Sequence, residues 1–193
     1  MRNEMQRRKQ PKGVRIIGGN LKRSKLEVLE REGLRPTPDR VRETLFNWLA
    51  PTISSATVVD CFAGTGSMGF EALSRGAKIC TFIERDSTTS VAIKANIVRF
   101  DLTDRAKVIT CNLSASTIKQ LQEIRDADLI FADPPFHLRL GSQFLTWIRS
   151  QIQPNCRIIV ECQSTENIET HGFEVLKELS AGQDYLRLLR PIL

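Results

Sequence analysis

Val58-Val59-Asp60-Cys61-Phe62-Ala63-Gly64-Thr65-Gly66-Ser67-Met68-Gly69 reads as a buried strand, a glycine loop and the first turn of a helix. Gly64 and Gly66 permit positive φ and a close approach of backbone to ligand, and Gly69 permits tight packing of the helix on the strand. A lone G-x-G-x-x-G is a weak signal. Here the next strand-like run ends on Glu84, 20 residues after Gly64, where a carboxylate can accept both hydroxyls of a ribose. The stretch predicts an α/β fold of Rossmann type with a nucleoside site at the strand ends.

The rest of the chain follows that rhythm. Strand-like runs at Thr57–Cys61, Lys78–Glu84, Ala106–Cys111, Asp128–Asp133 and Cys156–Cys162 alternate with helix-like segments at Ser67–Ser74, Ser87–Phe100, Ser114–Ile124 and Gly141–Gln151. Alternation of this kind calls for a parallel sheet with helices on both faces. The end differs. Phe173–Leu179 and Tyr185–Leu189 are separated only by a short turn region around Gly182, so that pair must be antiparallel. The expectation is a mostly parallel seven-stranded sheet finished by a hairpin.

Two ligands share the glycine-loop geometry, NAD and S-adenosylmethionine. Asp60 at the end of its strand favours the second, because an acid there repels a pyrophosphate and suits a cationic amino-acid ligand; Phe62-Ala63 then leads into the glycines. Asp60, Phe62, Ala63, Gly64, Thr65, Gly66 and Glu84 are the candidate cofactor residues. Asn112, after the third strand, can offer a donor and an acceptor to an adenine edge. It serves equally well as a turn residue capping the next helix.

Asp133-Pro134-Pro135-Phe136 closes the fourth strand. Neither proline can donate to a strand ladder, so the strand stops on a stiff turn that carries an acid and an aromatic ring. An acid that accepts from an amino group, with a ring that stacks on a heterocycle, suits chemistry on the exocyclic amine of a base. His137 beside the turn reads as a polar loop residue.

Before the glycine loop, Arg35-Pro36-Thr37-Pro38 leads into a helix whose apolar stripe is Val41, Leu45, Trp48 and Leu49, with Pro51 as its stop. Thr37 is the expected N-cap, Pro38 the expected first helical residue, and Arg40, Arg42 and Glu43 fall off the stripe. Residues 14–29 alternate around Gly18-Gly19-Asn20 and suggest a β-hairpin.

The chain has 193 residues, is 41% hydrophobic and carries a net charge of +6. Nine of its 28 Lys and Arg but one of its 22 acids fall in residues 1–25, which gives +8 there and −2 over the rest. A basic arm on a near-neutral body points to a polyanionic partner. No apolar run approaches a membrane span and no secretory signal is evident. The five cysteines, Cys61, Cys80, Cys111, Cys156 and Cys162, form no C-x-x-C pair and lie in or beside apolar runs. A reducing cytoplasm fits them, and neither they nor His137 and His171 have zinc-ligand spacing.

The chain resembles the bacterial RsmD-type methyltransferases, which modify the N2 amine of a guanine in 16S ribosomal RNA. The resemblance covers nearly the whole sequence. It rests on Arg15-Ile16-Ile17-Gly18-Gly19, on Leu34-Arg35-Pro36-Thr37 with Asp39 to Leu49, on Asp60 to Gly66, on Glu71-Ala72-Leu73-Ser74-Arg75 and on Asp133-Pro134-Pro135-Phe136. Leu21 stands near where the family usually has Trp, and Pro38 where it has a small polar residue. The resemblance implies a class I S-adenosylmethionine fold over 37–193, preceded by a basic arm and hairpin over 1–36. Asp60 and the glycine loop would hold the methionyl and ribose portions of S-adenosylmethionine, Glu84 the ribose hydroxyls and Asn112 the adenine side. Asp133 and the Pro134 carbonyl would hold the target amine, with Pro135 stiffening the turn and Phe136 stacking on the base. Arg7, Arg8, Lys9, Lys12, Arg15, Lys22, Arg23 and Arg35 would contact RNA, and Thr37 and Arg42 would line the cleft between RNA and cofactor. The implied partner is 16S rRNA, free or within an assembling small-subunit particle, and a monomer is the default state. The rival readings are an amino-methyltransferase for DNA adenine or another RNA, an NAD(P) oxidoreductase, and a non-catalytic ribosome assembly factor.

Overall fold

The computed structural model describes residues 13–28, 37–135, 140–166 and 168–192. The elements run α1 (Asp39–Leu49), β1 (Thr57–Cys61), α2 (Ser67–Ser74), β2 (Ile79–Glu84), α3 (Ser87–Arg99), β3 (Ala106–Thr110), α4 (Ala115–Gln120), α5 (Gln122–Arg125), β4 (Leu129–Ala132), α6 (Gly141–Ile148), β5 (Arg157–Gln163), β6 (Phe173–Ala181) and β7 (Asp184–Pro191). The strands form one seven-stranded sheet in the order β3-β2-β1-β4-β5-β7-β6. β1 to β5 are parallel, and β7 joins β5 and β6 antiparallel. This is the sheet expected from the sequence. Strand order reverses between β1 and β4, and in open α/β sheets ligands bind at the carboxyl ends of the strands at such a switch.

The pleat sorts side chains between two layers. Val58, Cys80, Phe82, Leu129, Phe131, Ile159, Leu186 and Leu188 share a core with α1, α2 and α3 residues. Val59, Cys61, Ile83, Ile130, Ala132, Val160, Cys162 and Leu189 share the other with Ile118, Ile124, Phe144, Leu145 and Ile148. By this alternation Asp60, Glu84, Asp133 and Glu161 belong to the α1 face.

Three local expectations are corrected. The helix foreseen over Ser114–Ile124 breaks at Leu121 into α4 and α5. The hairpin foreseen at residues 14–29 is shorter than expected: the antiparallel bridge Arg15 to Lys25 is flanked by Leu26 N–H donating to the Val14 carbonyl at 2.8 Å and Ile16 N–H to the Ser24 carbonyl at 2.9 Å. Toward its turn the N–H groups go elsewhere: Ile17 and Gly18 donate to Glu71 at 2.7 and 2.8 Å, and Leu21 to Ser74 Oγ at 2.9 Å. Thr37 does not cap α1. The N-cap position is Pro38, with no side-chain cap, because the Thr37 hydroxyl donates to Glu161 at 2.8 Å across the sheet.

The segment 13–28 is fastened, not loose. Val14, Ile16 and Leu26 are buried in the α1-face core. Glu71 on α2 is fully buried and also accepts from Arg75 Nε at 2.6 Å. Gly19 has φ of 74° and passes so close that a Cβ there would lie 1.8 Å from the Ser74 carbonyl oxygen, so this approach requires glycine. Further along, Asn96 on α3 accepts from the Glu27 N–H and donates to its carbonyl.

Candidate nucleoside and amine site

The glycine loop folds as its sequence demands. Gly64 and Gly66 have φ of 51° and 74°. A Cβ at Gly69 would stand 2.3 Å from the Phe82 ring and 2.7 Å from Cys80 Sγ, so α2 lies on β2 only because this residue has none. Phe62 also has a positive φ, 62°, and its ring meets Phe144 edge-on at 5.5 Å. Left-handed geometry at a non-glycine residue costs about 1–3 kcal/mol and persists where surrounding contacts enforce it.

Backbone donors orient the two acids of the loop. Asp60 Oδ2 accepts from Gly69 N–H at 2.9 Å. Glu84 accepts from Gly64 at 2.9 Å through Oε2 and from Asp86 at 2.8 Å through Oε1. Each carboxylate oxygen has two lone pairs, so Glu84 keeps acceptor capacity for a ribose diol while its side chain is held still. Asp60 is 3% exposed. Burial pushes its carboxyl up to about 8; the Gly69 hydrogen bond opposes that rise and the nearby Glu84 charge adds to it. A cationic neighbour favours the ionised form of such a buried acid, and an anionic one opposes it. Between the loop, α3 and Glu27-Val28 the free space is about 10 Å³, no more than one water's room.

Asn112 is exposed, and Ser114, not Asn112, caps the following helix through a capping box with Thr117. The capping role expected of Asn112 is therefore corrected.

Asp133 and Pro134 leave β4 directly beside the end of β1, where Cys61 pairs with Ala132. Pro134 is buried and Pro135 half-buried. The Asp133 carboxyl is held well above the usual carboxylate range, first by desolvation and then by the charges of Glu161, Asp60 and Asp184. Glu161 and Asp184, both 3% exposed, were not foreseen from the sequence. They follow from the pleat: Glu161 pairs with Leu186 and Gln163 with Asp184, so both acids share the α1 face with Asp133. A second acid on the strand next to the Asp-Pro-Pro turn was a readable signal.

Among the RNA candidates, Arg15, Lys22 and Arg23 are exposed. Arg42 is corrected: it does not lie off the buried stripe but is 1% exposed. Its Nη2 donates to Asp39 at 2.6 Å and to the Arg15 carbonyl at 2.8 Å, while Nε and Nη1 are buried without a hydrogen-bond partner among the described residues. It ties α1 to residue 15 and offers no guanidinium to solvent. Thr37 is likewise buried, on Glu161. Arg7, Arg8, Lys9, Lys12, Arg35, Phe136 and His137 lie outside the described residues. The five cysteines are free thiols, and burial pushes Cys156 up to about 12 and Cys162 to about 11.

Comparison with known proteins agrees with this geometry. The family model described as "Conserved hypothetical protein 95" matches residues 14–190. The "Ribosomal RNA small subunit methyltransferase D" of Haemophilus influenzae is 42% identical over 172 residues, covering 88% of this chain and 89% of that protein. The protein of the same name from Escherichia coli K12 is 37% identical over 179 residues, covering 91% and 88%. A crystal structure from Haemophilus influenzae superposes with a TM-score of 0.79 at 38% identity over 94% of this chain and 99% of that one. An RNA methyltransferase from Salinibacter ruber in complex with S-adenosyl-L-homocysteine has a TM-score of 0.64 at 14% identity over 81% and 94%, a likeness that shows the fold alone. With its Rossmann-like sheet, its oriented loop acids and these relatives along nine-tenths of its length, the chain belongs to the RsmD family of ribosomal RNA small subunit methyltransferases.

Proposed function

We propose that this chain methylates the exocyclic N2 amine of a guanine in 16S ribosomal RNA, with S-adenosylmethionine as the methyl donor. One observation carries the reading. The amine-accepting turn, Asp133-Pro134, leaves β4 at the switch point beside the strand that holds Asp60, so an amine at that turn abuts a cofactor over Asp60 and Glu84. Asp60 and the Gly64–Gly66 loop would hold the amino-acid and ribose portions, Glu84 the ribose hydroxyls and Asn112 the adenine. Bound there, the cofactor supplies an electrophilic methyl group on a sulfonium.

The residues of the chain address the other reactant. An arylamine lends its lone pair to the ring and is a poor nucleophile. Asp133 and the Pro134 carbonyl accept its two N–H groups and fix the nitrogen so that its lone pair faces the methyl group. Pro134 and Pro135 lock that turn, and Phe136 stacks on the unstacked base. Methyl transfer leaves an extra proton on nitrogen. That proton passes to solvent once transfer is complete. The exposed Arg15, Lys22 and Arg23, with the basic residues at 7–12 and Arg35, supply the phosphate contacts. Such an enzyme works in the cytoplasm, where its RNA is.

The test is transfer of labelled methyl to small-subunit RNA lacking its native modification, as naked RNA and as assembled particles, followed by nucleoside analysis. N2-methylguanosine at one site is the expected product, and the form that reacts names the substrate. Labelled N6-methyladenosine, or label on DNA alone, would replace the guanine reading.

A further inference from the structure

A second polar cavity opens at the same end of the sheet as Asp133, on the opposite face. It measures about 340 Å³ and is lined by Ser164, Thr165, Glu166, Ser180, Tyr185 and Arg187, within the range of small-ligand sites, about 300–1,000 Å³. We propose that it takes one unstacked base of the RNA beside the target nucleotide, a base that carries an amino group; this rests on the RNA methylation proposed above.

Strand register places the cavity. Cys162 pairs with Tyr185 at the end of β5, and Ser180 pairs with Tyr185 at the end of β6. β5 is the immediate neighbour of β4, whose end carries Asp133. Glu161 and Asp184 face the α1 side, so Tyr185 and Arg187, one residue out of phase with them, face the α6 side. An RNA strand crossing the strand ends would present one base to Asp133 and its neighbour to this cavity. Enzymes that act on a base draw it out of the stack, and sequence-specific RNA recognition reads such splayed bases by stacking and by their edges.

The chemistry of the lining matches a base better than a phosphate. The Arg187 guanidinium lies over the Tyr185 ring at 4.8 Å. Both groups are fixed in advance: Arg187 Nη1 donates to the Ile168 carbonyl at 2.9 Å, and Tyr185 Oη donates to Glu178 at 2.5 Å. The result is a cation set against an aromatic ring, each tethered by a hydrogen bond. Arg187 Nε is buried without a hydrogen-bond partner, its nearest carboxylate being Glu178 at 4.0 Å. Ser164 and Glu166 are held by backbone bonds to Gln183 and Gln163. Three hydroxyls can donate or accept, and Glu166 can accept from an amino group on guanine, adenine or cytosine. With Glu166 in the lining and Glu178 behind it, the local charge does not favour a bare phosphate.

Two variants test this. Tyr185→Leu removes the stacking face, and Ser180→Phe fills the cavity from an exposed position. Filter binding of small-subunit RNA and methyl transfer are measured on the same preparations, with S-adenosylmethionine affinity and melting temperature as controls. Each variant is expected to weaken RNA binding about tenfold, in line with loss of one stacked base, and to raise KM for RNA with kcat within about twofold, while cofactor affinity is kept. RNA binding within twofold of wild type in both variants overturns the cavity, whatever the transfer assay shows. If wild type transfers methyl and the variants match it, the cavity alone fails. If RNA binding depends on Tyr185 but no RNA is methylated, the cavity stands and the proposed reaction fails.

Discussion

The two halves of the site are held by different means. On the cofactor side, Asp60 and Glu84 each rest on backbone N–H groups from Gly69, Gly64 and Asp86. On the target side, Asp133 faces other carboxylates, those of Glu161, Asp60 and Asp184, and its ionisation is suppressed. The first half is shaped before anything binds. The second is set by repulsion among neighbouring acids, which an N–H donor brought against Asp133 would relieve. In the proposed site the cofactor grip is a matter of geometry, and the amine grip a matter of electrostatics.

That contrast is broken most severely at the turn. Asp133→Ala should keep S-adenosylmethionine binding and lose methyl transfer by about a thousandfold or more, the effect of removing the acceptor that orients the amine. Turnover near the wild-type rate would show that Asp133 does not hold the amine. The next effect is on the scaffold of the cofactor half. Glu71→Ala strips a fully buried carboxylate from Ile17, Gly18 and Arg75, and should lower unfolding free energy by about 3–5 kcal/mol, the cost of leaving a buried charge unpaired. Denaturant melts would check it.

A subtler test lies at Asp60. Its carboxyl sits near 8 in the ligand-free protein, and a cationic ligand binds best to its ionised form. Cofactor affinity should therefore rise with pH up to about 8, by at most about tenfold per unit, and level off above. In Asp60→Asn the slope should vanish. The linkage to stability has the opposite sense. The folded pKa is raised, so the ligand-free fold loses stability as pH climbs from about 4 toward 8, and Asp60→Asn should raise Tm at pH 8 but not at pH 4. The smallest effect is expected from Thr37→Val, which removes one hydrogen bond to a buried carboxylate and should cost about 1.5–3 kcal/mol with cofactor affinity unchanged.

The same contrast explains what was legible in the sequence. Local pattern carries the cofactor half: glycines at fixed spacing, an acid at the ends of β1 and β2, periodicity of two in the strands and 3.6 in the helices. The sheet, the loop and Glu84 can be read directly. Contacts between distant residues are not legible in that way. Thr37 looks like a cap, but a carboxylate 124 residues away takes its hydroxyl. Arg42 looks solvated because charge normally faces water, yet 42, 45 and 49 are themselves a helical stripe. What makes its burial tolerable is Asp39 one turn back and a carbonyl from residue 15. In Glu71-Ala72-Leu73-Ser74-Arg75, recognised only as a family motif, every polar side chain proves to serve residues 17–21.

That clasp also has a consequence in time. Residues 17 and 18 are joined to Glu71 across 54 and 53 positions of chain. At about 5–20 residues per second, a ribosome releases the basic start of this protein roughly three to ten seconds before the helix that will anchor it exists. During that interval the segment is an untethered cationic strand, and only the synthesis of α2 turns it into part of the enzyme's body.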